Sequence, residues 1–383
     1  MKNRNLSILI MATITVLVLS SSTLVSASGQ QQIASSGKGT AGTSPEFMPW
    51  ICQFCGNYNS SLNAIVEHHS QFTSLSYEQY YLGPLNYSFS RFGLESPKLI
   101  AARYGLPVYP MVVSSDKAAM HKLFTNATIQ SRFINDALKT AKTRGYAGYN
   151  MDFEVPYYTD SAALTGFIAN FSSALEKSGL SLSVDLPGSA VLQNFSPKSY
   201  GGAYNWTAIA GTDVTRLIVM DYFSIGDFKL VVNYSVAHMP ADKLSVALPD
   251  YGFGFLVNTT SSAQFPFNII KTVKARMYGQ VKTIVHSALL QHANVTKHFG
   301  SFYGEPYYNI VYPGENGTAY EYYYVNSHAM QLRLSYLSEL HIRGIAMWRL
   351  GDVDNSIWGP LQSYVSSPAG VGAQPIAAEA RDR

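Results

Sequence analysis

Segments with two different spacings of hydrophobic residues alternate along most of the chain. Short runs that are apolar on both faces are separated by longer stretches in which apolar residues recur at every third or fourth position. Runs of the first kind are typical of buried parallel strands, and stretches of the second kind are typical of amphipathic helices. We predict eight strands, at residues 49–54, 72–82, 106–113, 145–154, 180–186, 216–222, 244–248 and 344–350. The predicted helices lie at residues 62–66, 99–102, 127–144, 161–177, 231–238 and 328–340.

This alternation predicts an α/β protein whose parallel sheet is covered by helices. Eight strands favour a closed (β/α)8 TIM barrel over an open doubly wound sheet. No glycine-rich phosphate loop follows the first predicted strand, which weakens the nucleotide-binding alternative. The segment between the seventh and eighth strands is too long for an ordinary connection, so we predict an insertion at about residues 253–327. Its second half, residues 307–325, alternates around a Pro-Gly turn and predicts a hairpin.

The two ends of the chain differ in composition from the barrel segment. Lys2 and Arg4 precede an apolar run at residues 6–19, and small residues follow at 25–27. We interpret residues 1–27 as a secretory signal peptide, with an uncleaved N-terminal anchor as the alternative. The other predicted segments are a flexible linker at 28–46, the barrel at 47–365 and a disordered tail at 366–383. We therefore expect a secreted, extracellular protein.

The chain carries little charge. Charged residues make up 13% of it, and the formal net charge is +3. Because the basic residues are also scattered, we expect no nucleic-acid partner. Ser, Thr, Asn and the 27 Tyr residues must supply much of the polar surface. A weakly charged surface loses little in acidic surroundings, so we hypothesise that the protein tolerates low pH.

Asn-x-Ser/Thr sequons are dense along the chain. Sequons mark surface positions when they are glycosylated, so this pattern predicts an exported glycoprotein. A chance pattern in a bacterial protein rich in Asn and Ser is the alternative. Outside the predicted signal peptide the sequons begin at Asn59, Asn86, Asn126, Asn170, Asn194, Asn205, Asn233, Asn258, Asn294 and Asn316.

Cys52 and Cys55 form a lone C-x-x-C motif. A zinc site needs four ligands, and neither a second cysteine pair nor a well-spaced histidine pair accompanies the motif. The sequence context of a thioredoxin-like redox motif is also missing. A small disulfide and two buried thiols near the first strand are the interpretations that remain.

The fourth predicted strand ends with three polar residues. At the two-residue period of a strand, Asn150, Asp152 and Glu154 point to the same side. Burying two carboxylates and an amide is costly unless they are paired or take part in chemistry. Because the active site of such a barrel lies at the carboxyl ends of its strands, these residues are the first candidates for function.

Four motifs of the chain resemble those of one family. Residues 148–154 (GYNMDFE) resemble the D-G-x-D-x-D-x-E signature of glycoside hydrolase family 18, the chitinase-like enzymes. Residues 220–222 match its M-x-Y motif, residues 249–252 its P-x-Y-G motif, and residues 344–348 its final G-x-x-x-W motif. The motifs occur in the family's order, and the resemblance covers roughly residues 50–360.

The chain also departs from the family pattern. Ala147 replaces the leading Asp of the signature, Asn150 replaces the middle Asp, and Phe223 replaces the Asp that usually follows M-x-Y. The G-x-N-x-D-x-E form, with Trp-Arg-Leu-Gly at residues 348–351, resembles the branch of spore-cortex and peptidoglycan glucosaminidases. The resemblance therefore does not select chitin as the substrate.

The resemblance implies retaining, substrate-assisted hydrolysis of a β-linked N-acetylhexosamine, with no metal and no cofactor. It implies that Glu154 is the general acid and base and that Asp152 hydrogen-bonds the acetamido N–H. Tyr222 would bond the acetamido carbonyl, and Trp348 would form an apolar floor beneath the sugar. Asn150 would orient Asp152.

The same motifs add two substrate-binding candidates, Tyr251 and Met220. Packing alone is the alternative role for Tyr222, Tyr251 and Trp348. Asp221 points away from its two neighbours on the predicted strand, so we interpret it as structural.

We therefore expect a secreted glycosidase whose partner is an N-acetylhexosamine-containing polysaccharide or glycan. The alternative is a lectin-like, carbohydrate-binding protein on the same barrel, because a fold does not determine a function. The presence of Glu154 favours the enzyme. The sequence does not choose among chitin, peptidoglycan and N-linked glycans, or between endo and exo action. We expect a monomer with no membrane partner beyond the possible N-terminal anchor.

Overall fold

The computed structural model describes residues 44–83 and 89–367 of the chain. The predicted signal peptide, almost all of the predicted linker and nearly all of the predicted tail lie outside the described residues. Glu46, the last residue of the predicted linker, belongs to the first strand instead. Ser366 of the predicted tail is the last residue of a helix.

Strands and helices alternate through the described part of the chain. The strands are β1 (Glu46–Ile51), β2 (Leu75–Leu82), β3 (Phe89–Arg91), β4 (Val108–Ser114), β5 (Gly148–Phe153), β6 (Ser181–Pro187), β7 (Arg216–Met220), β8 (Leu244–Pro249), β9 (Tyr251–Asn258), β10 (Ile269–Met277), β11 (Asn294–Gly300), β12 (Glu305–Val311), β13 (Thr318–Tyr323) and β14 (Gly344–Trp348). The helices are α1 (Tyr58–His68), α2 (Ser96–Arg103), α3 (Lys117–Thr125), α4 (Ala127–Arg144), α5 (Ser161–Glu176), α6 (Ser189–Leu192), α7 (Trp206–Ala210), α8 (Ile225–His238), α9 (Tyr278–Leu290), α10 (Ser327–Ser338) and α11 (Trp358–Ser366).

Eight parallel strands close into a barrel. Their order is β1, β2, β4, β5, β6, β7, β8 and β14, and β14 returns to pair with β1. The short strand β3 adds to β2 in the antiparallel direction. The predicted (β/α)8 barrel is therefore confirmed. No helix within the described ranges is both long and apolar enough to cross a membrane.

Helix α4 and strand β5 determine which way the side chains of Asn150 and Asp152 point. Asn126 caps α4 by accepting a hydrogen bond from the backbone of Ile129, and Gly145 ends the helix at a φ of 65°. In β5, the Tyr149 hydroxyl donates to the Ala137 carbonyl of α4 at 2.7 Å. Because Tyr149 and the other odd-numbered residues of β5 pack outward on the helices, the even-numbered residues face the barrel interior.

The opposite, N-terminal end of the barrel is closed by paired charges. Glu46 accepts a hydrogen bond from Arg216 at 2.6 Å and another from Arg343 at 2.7 Å. The Arg216 guanidinium also lies over the ring of Tyr109, 4.7 Å from its centroid. Burial favours the neutral form of Glu46, but the two arginines hold the pKa of this carboxyl below its usual value.

The segment between β8 and β14 forms a second, antiparallel sheet of five strands, in the order β10, β9, β13, β12 and β11. The predicted hairpin is present as β12 and β13, with Tyr307 opposite Tyr323. The sheet begins at Tyr251, directly after the barrel strand β8, which places one of the candidate residues on the inserted unit. The unit has its own small core, which includes Phe255 and Tyr303.

Candidate active site

Three candidate residues lie at the carboxyl end of β5. Asn150 is fully buried inside the barrel, whereas Asp152 and Glu154 are partly exposed. The backbone N–H of Glu154 donates to the Ser114 carbonyl at 2.7 Å, which fixes the chain just beyond the strand. Gly148 is required below them, because a Cβ atom there would collide with the backbone of Ser181 on β6.

A fourth polar residue, which sequence reasoning missed, joins this group. Asp185 on β6 is 1% exposed and accepts a hydrogen bond from Asn150 Nδ2 at 2.7 Å. The signal was the single charged residue of the predicted strand at 180–186, one step before the strand's end. Asn150 therefore lies near two carboxyl groups. It donates a hydrogen bond to Asp185, and it is two residues before Asp152 on the same face of β5.

Two tyrosines from the segment between α6 and α7 border the carboxyl groups. The Tyr200 hydroxyl donates a hydrogen bond to Glu154, and the Tyr204 hydroxyl donates to the Phe153 carbonyl at 2.6 Å. Both lie in a loop region of a chain with 27 tyrosines, so the sequence held no signal for either.

The surroundings favour the protonated forms of Glu154 and Asp152. Burial raises the pKa of Glu154, and the hydrogen bond from Tyr200 opposes that rise. Burial raises the pKa of Asp152 well above its usual value, and the negative charges of Glu154 and Glu78 raise it further. A carboxyl group that keeps its proton near neutral pH is suited to act as a general acid.

Glu78 is a further residue that sequence reasoning missed. It is on β2, 3% exposed, and burial together with the charge of Glu154 raises its pKa to about 8 although Arg349 opposes the shift. Gln53, two residues beyond the end of β1, donates to the Glu78 carbonyl at 2.9 Å and holds this part of β2 in place. Glu78 is therefore another carboxyl group whose pKa responds to the charge of Glu154.

Tyr222 and Tyr251 contact each other directly. Their rings meet edge to face with centroids 5.8 Å apart. The Tyr222 hydroxyl is buried and has no hydrogen-bond partner within residues 44–83 and 89–367. It also interacts electrostatically with Asp152 and Asp185, so it lies beside the carboxyl cluster. A donor in this place suits an acceptor on a bound molecule, such as an amide carbonyl.

Trp348 and Met220 end two other barrel strands. Trp348 is partly exposed, and its ring meets that of the buried Trp50 edge to face at 6.3 Å. The peptide bond from Trp348 to Arg349 is cis, and the Arg349 N–H donates to Asp250 at 2.8 Å. Met220, partly exposed at the end of β7, accepts a hydrogen bond from Gly188 N–H through its carbonyl. An indole at this end of the barrel can pack against the C–H face of a sugar.

Asp221 lies apart from this cluster. It is fully buried on the opposite side of the strand end, where the charge of Arg333 opposes the effect of burial on its pKa. Arg333 itself pairs with Glu305 of the inserted sheet at 2.7 Å. Asp221 therefore faces the packing between the barrel and the inserted unit, in agreement with a structural role.

The two cysteines form a disulfide, Cys52–Cys55, with Cα atoms 5.5 Å apart. This settles the choice between the two interpretations that the sequence left open. The Arg349 guanidinium donates to the Cys55 carbonyl at 3.4 Å, so the small disulfide loop lies at the same end of the barrel as the carboxyl groups.

Comparison with known proteins agrees with this geometry. The family described as glycosyl hydrolases family 18 matches residues 113–352 of the chain. The cortical fragment-lytic enzyme of Bacillus anthracis is 26% identical over 242 residues, which cover 60% of this chain and 52% of that protein. The chain thus spans about half the length of the curated relatives it matches.

Solved structures show the same fold. The spore cortex-lytic enzyme SleL of Bacillus megaterium aligns with a TM-score of 0.68 and 18% identity, over 84% of this chain and 74% of SleL. A chitinase from Chromobacterium violaceum aligns with a TM-score of 0.68 and 18% identity, over 85% of this chain and all of that chitinase. The matched family region extends from the end of β4 beyond β14 and includes the whole carboxyl cluster on β5 and β6. The chain belongs to glycosyl hydrolases family 18.

Proposed function

We propose that the protein hydrolyses a β-linked polymer of N-acetylhexosamine by a retaining, substrate-assisted mechanism. The observation that carries the proposal is the pair Asp152 and Glu154, side by side at the carboxyl end of β5 with raised pKa values and with Tyr222 beside them. Such a pair combines a proton donor with a group that can stabilise positive charge. Family membership supports this reading, and the activity of the whole protein is part of the proposal.

In the first step Glu154 gives its proton to the glycosidic oxygen, and the bond from that oxygen to C1 of the sugar breaks. The acetamido carbonyl oxygen of the same sugar bonds to C1 and forms an oxazolinium ion, so no enzyme carboxylate has to attack. Asp152 accepts a hydrogen bond from the acetamido N–H, and its negative charge stabilises the positive ring. Tyr222 donates to the acetamido oxygen and holds it near C1.

In the second step water attacks C1 from the side that the leaving group vacated. Glu154, now a carboxylate, takes a proton from this water, and the oxazolinium ring opens to restore the acetamido group. Two inversions at C1 give net retention, so the product is the β anomer. Trp348 supports the apolar face of the sugar ring, while Met220 and Tyr251 border the same pocket.

The substrate class is proposed more narrowly as an N-acetylglucosamine polymer. The curated relative is named for lysis of cortical fragments, and the solved neighbours include a spore cortex-lytic enzyme and a chitinase. Peptidoglycan and chitin are therefore the first polymers to offer, with N-linked glycans as the third member of the panel.

The test is release of soluble product from each of the three polymers by the wild type and by Glu154→Gln. We expect product from at least one polymer and a loss on the order of a hundred- to ten-thousand-fold in the variant, the usual contribution of a general acid. Glu176→Gln is the matched control, because Glu176 is exposed at the end of α5 and should leave the rate unchanged. Binding without hydrolysis in both proteins would favour the lectin-like alternative.

We also propose that the protein is exported and glycosylated. Nine of the sequon asparagines lie within the described residues; eight of them are exposed and Asn258 is half-buried, while Asn86 lies outside. Surface exposure is what an oligosaccharide transferase requires. Intact-mass measurement of protein secreted by the native host tests the proposal. A mass equal to that of the bare mature chain would reject glycosylation, and recovery only within cells would reject export.

A further inference from the structure

A group of buried oxygen atoms lies beside and beneath Asp152. Asn150 and Asp185 are 0% and 1% exposed, and the amide of Asn150 donates to one oxygen of Asp185 at 2.7 Å. Strands β5 and β6 run in register here, with Asn150 opposite Ser183 and Met151 opposite Val184. The next residues along the two strands, Asp152 and Asp185, therefore lie at the same height inside the barrel.

Three acceptor atoms of this group receive no hydrogen bond from the described residues. The Oδ1 atoms of Asn150, Asp152 and Asp185 are all buried, and none has a partner within the described part of the chain. An amide oxygen and two ionised carboxylates are acceptors only, so together they offer no hydrogen to one another beyond the amide N–H. Buried acceptors without donors are costly, and two adjacent carboxylates do not both ionise easily. One carboxyl proton on the pair relieves both problems.

We propose that Asp185 is a positioning residue that shares one proton with Asp152 and sets the charge of Asp152 during hydrolysis. This rests on the proposed function. Before the reaction the proton lies between the two carboxyl groups. When the oxazolinium ion forms, the proton moves fully onto Asp185 and leaves Asp152 as the anion next to the positive ring. When the ring opens, the proton returns to its shared position, so no proton is gained or lost over the cycle.

The charges that face Asp185 agree with a retained proton. Burial is the largest influence that raises the pKa of Asp185, and the charges of Asp152 and Glu154 on β5 raise it further. The hydrogen bond from Asn150 acts in the opposite direction. Across the pocket, Tyr204 and Tyr222 are neutral at physiological pH because burial and these carboxylates raise the pKa of each phenol.

The arrangement also explains the departure of this chain from the family signature. Asn150 occupies the place of the signature's middle Asp, so the partner carboxylate next to Asp152 on its own strand has been lost. Asp185 supplies a carboxylate from the neighbouring strand, and the Asn150 amide donates a hydrogen bond to it. An Asp at both 150 and 185 would crowd three carboxyl groups into one buried space.

The first test is the variant Asp185→Asn, which keeps the shape and removes the charge. We expect kcat to fall about ten- to a hundred-fold with little change in KM, as is usual for partners that orient a reacting group. The shared proton stabilises the Asp152 anion, so its loss raises the pKa of Asp152 and the acid limb of the kcat/KM profile should move to higher pH. Asp213→Asn, an exposed position, is the matched control and should change neither quantity.

The second test exchanges the two residues. The double variant Asn150→Asp/Asp185→Asn restores one carboxylate beside Asp152, and we expect it to recover at least ten-fold of the loss seen in Asp185→Asn. Asn150→Asp alone should lower activity, because it adds a third carboxyl group. An Asp185→Asn variant with an unmoved acid limb, or an exchange without recovery in a folded protein, would overturn the proposal.

A direct titration separates this proposal from the proposed function and does not depend on activity. Carboxyl ¹³C resonances of labelled wild-type protein should show the Asp152 and Asp185 pair titrating in two separate steps, with one proton retained through neutral pH. Two simple titrations near the ordinary Asp value would reject the shared proton even if the enzyme is active. Two separated steps in a protein without hydrolase activity would reject the proposed function and leave the shared proton standing.

Discussion

At the N-terminal end of the barrel, one half-buried carboxylate is held by two arginines, while at the C-terminal end several carboxyl groups are crowded together. Glu46 accepts hydrogen bonds from Arg216 and Arg343, and its pKa is lowered. The pKa values of Asp152 and Glu154 are raised instead. Both ends belong to the same eight strands, so the fold does not decide which arrangement occurs.

The difference separates stability from chemistry. Paired charges at the N-terminal end hold the strands together and have no proton to offer. Crowded carboxyl groups at the C-terminal end oppose ionisation, which costs stability at neutral pH and keeps protons available for transfer. This division matches the general pattern of such barrels, in which one end serves stability and the other serves function.

At the N-terminal end of the barrel, we expect the largest loss of stability from Arg216→Met. This change leaves Glu46 with Arg343 alone, so we expect the free energy of unfolding to fall by about 2–4 kcal/mol. Arg343→Met removes the more exposed arginine and should cost less. Urea denaturation checks both values. Equal losses in the two variants, or a shifted pH–rate profile in either, would contradict the division between the ends.

The pH dependence of stability should have opposite signs at the two ends. Glu78 stays protonated in the folded protein up to about pH 8, whereas in the unfolded chain it ionises near pH 4.5. Between these values the unfolded state binds fewer protons, so the free energy of unfolding falls as pH rises, by up to about 1.4 kcal/mol per pH unit for each such group. Asp250, whose pKa burial raises to about 8, acts in the same direction.

Glu46 acts in the other direction, because a lowered pKa gives stability that is lost only as the pH falls through that value. We therefore expect stability to increase from pH 8 down to about pH 5 and to decline at more acidic pH. Glu78→Gln should flatten the upper part of this curve, while Glu176→Gln should not. A free energy of unfolding that rises from pH 5 to pH 8 would contradict this account, and a collapse of stability below about pH 4 would contradict the hypothesis of acid tolerance.

A smaller effect is expected from Tyr200→Phe. The Tyr200 hydrogen bond opposes the effect of burial on the pKa of Glu154, so its removal should raise that pKa and move the alkaline limb of the pH–rate profile to higher pH. Loss of one hydrogen bond should also reduce kcat about two- to ten-fold. Tyr158→Phe, at an exposed position, is the matched control. An alkaline limb that moves to lower pH would show that Tyr200 acts differently.

Much of the barrel could be predicted because the spacing of hydrophobic residues within each segment indicates its strand or helix. All eight barrel strands were found, and the predicted α4 has the bounds of the observed helix, since Asn126 and Gly145 mark its two ends. The predicted first strand begins three residues too late, because Glu46 is polar like the linker that precedes it. Its burial depends on Arg216 and Arg343, which lie far away in the sequence.

The candidate site was predicted only in part for a similar reason. Asn150, Asp152 and Glu154 share one strand, so their common direction follows from the period of that strand. Asp185 and Glu78 come from other strands, and their approach to the site depends on the register and closure of the barrel. Helices α3 and α9 were missed because short amphipathic segments between other elements give a weak periodic signal.

The most direct test of the central claim is the anomeric form of the first sugar released. Proton NMR can follow hydrolysis of an N-acetylglucosamine oligomer by wild-type enzyme before the product equilibrates. A retaining mechanism in which Glu154 acts as acid and then as base predicts the β anomer first, and no product on this timescale from Glu154→Gln. Initial release of the α anomer, or equal release by the variant, would contradict the account.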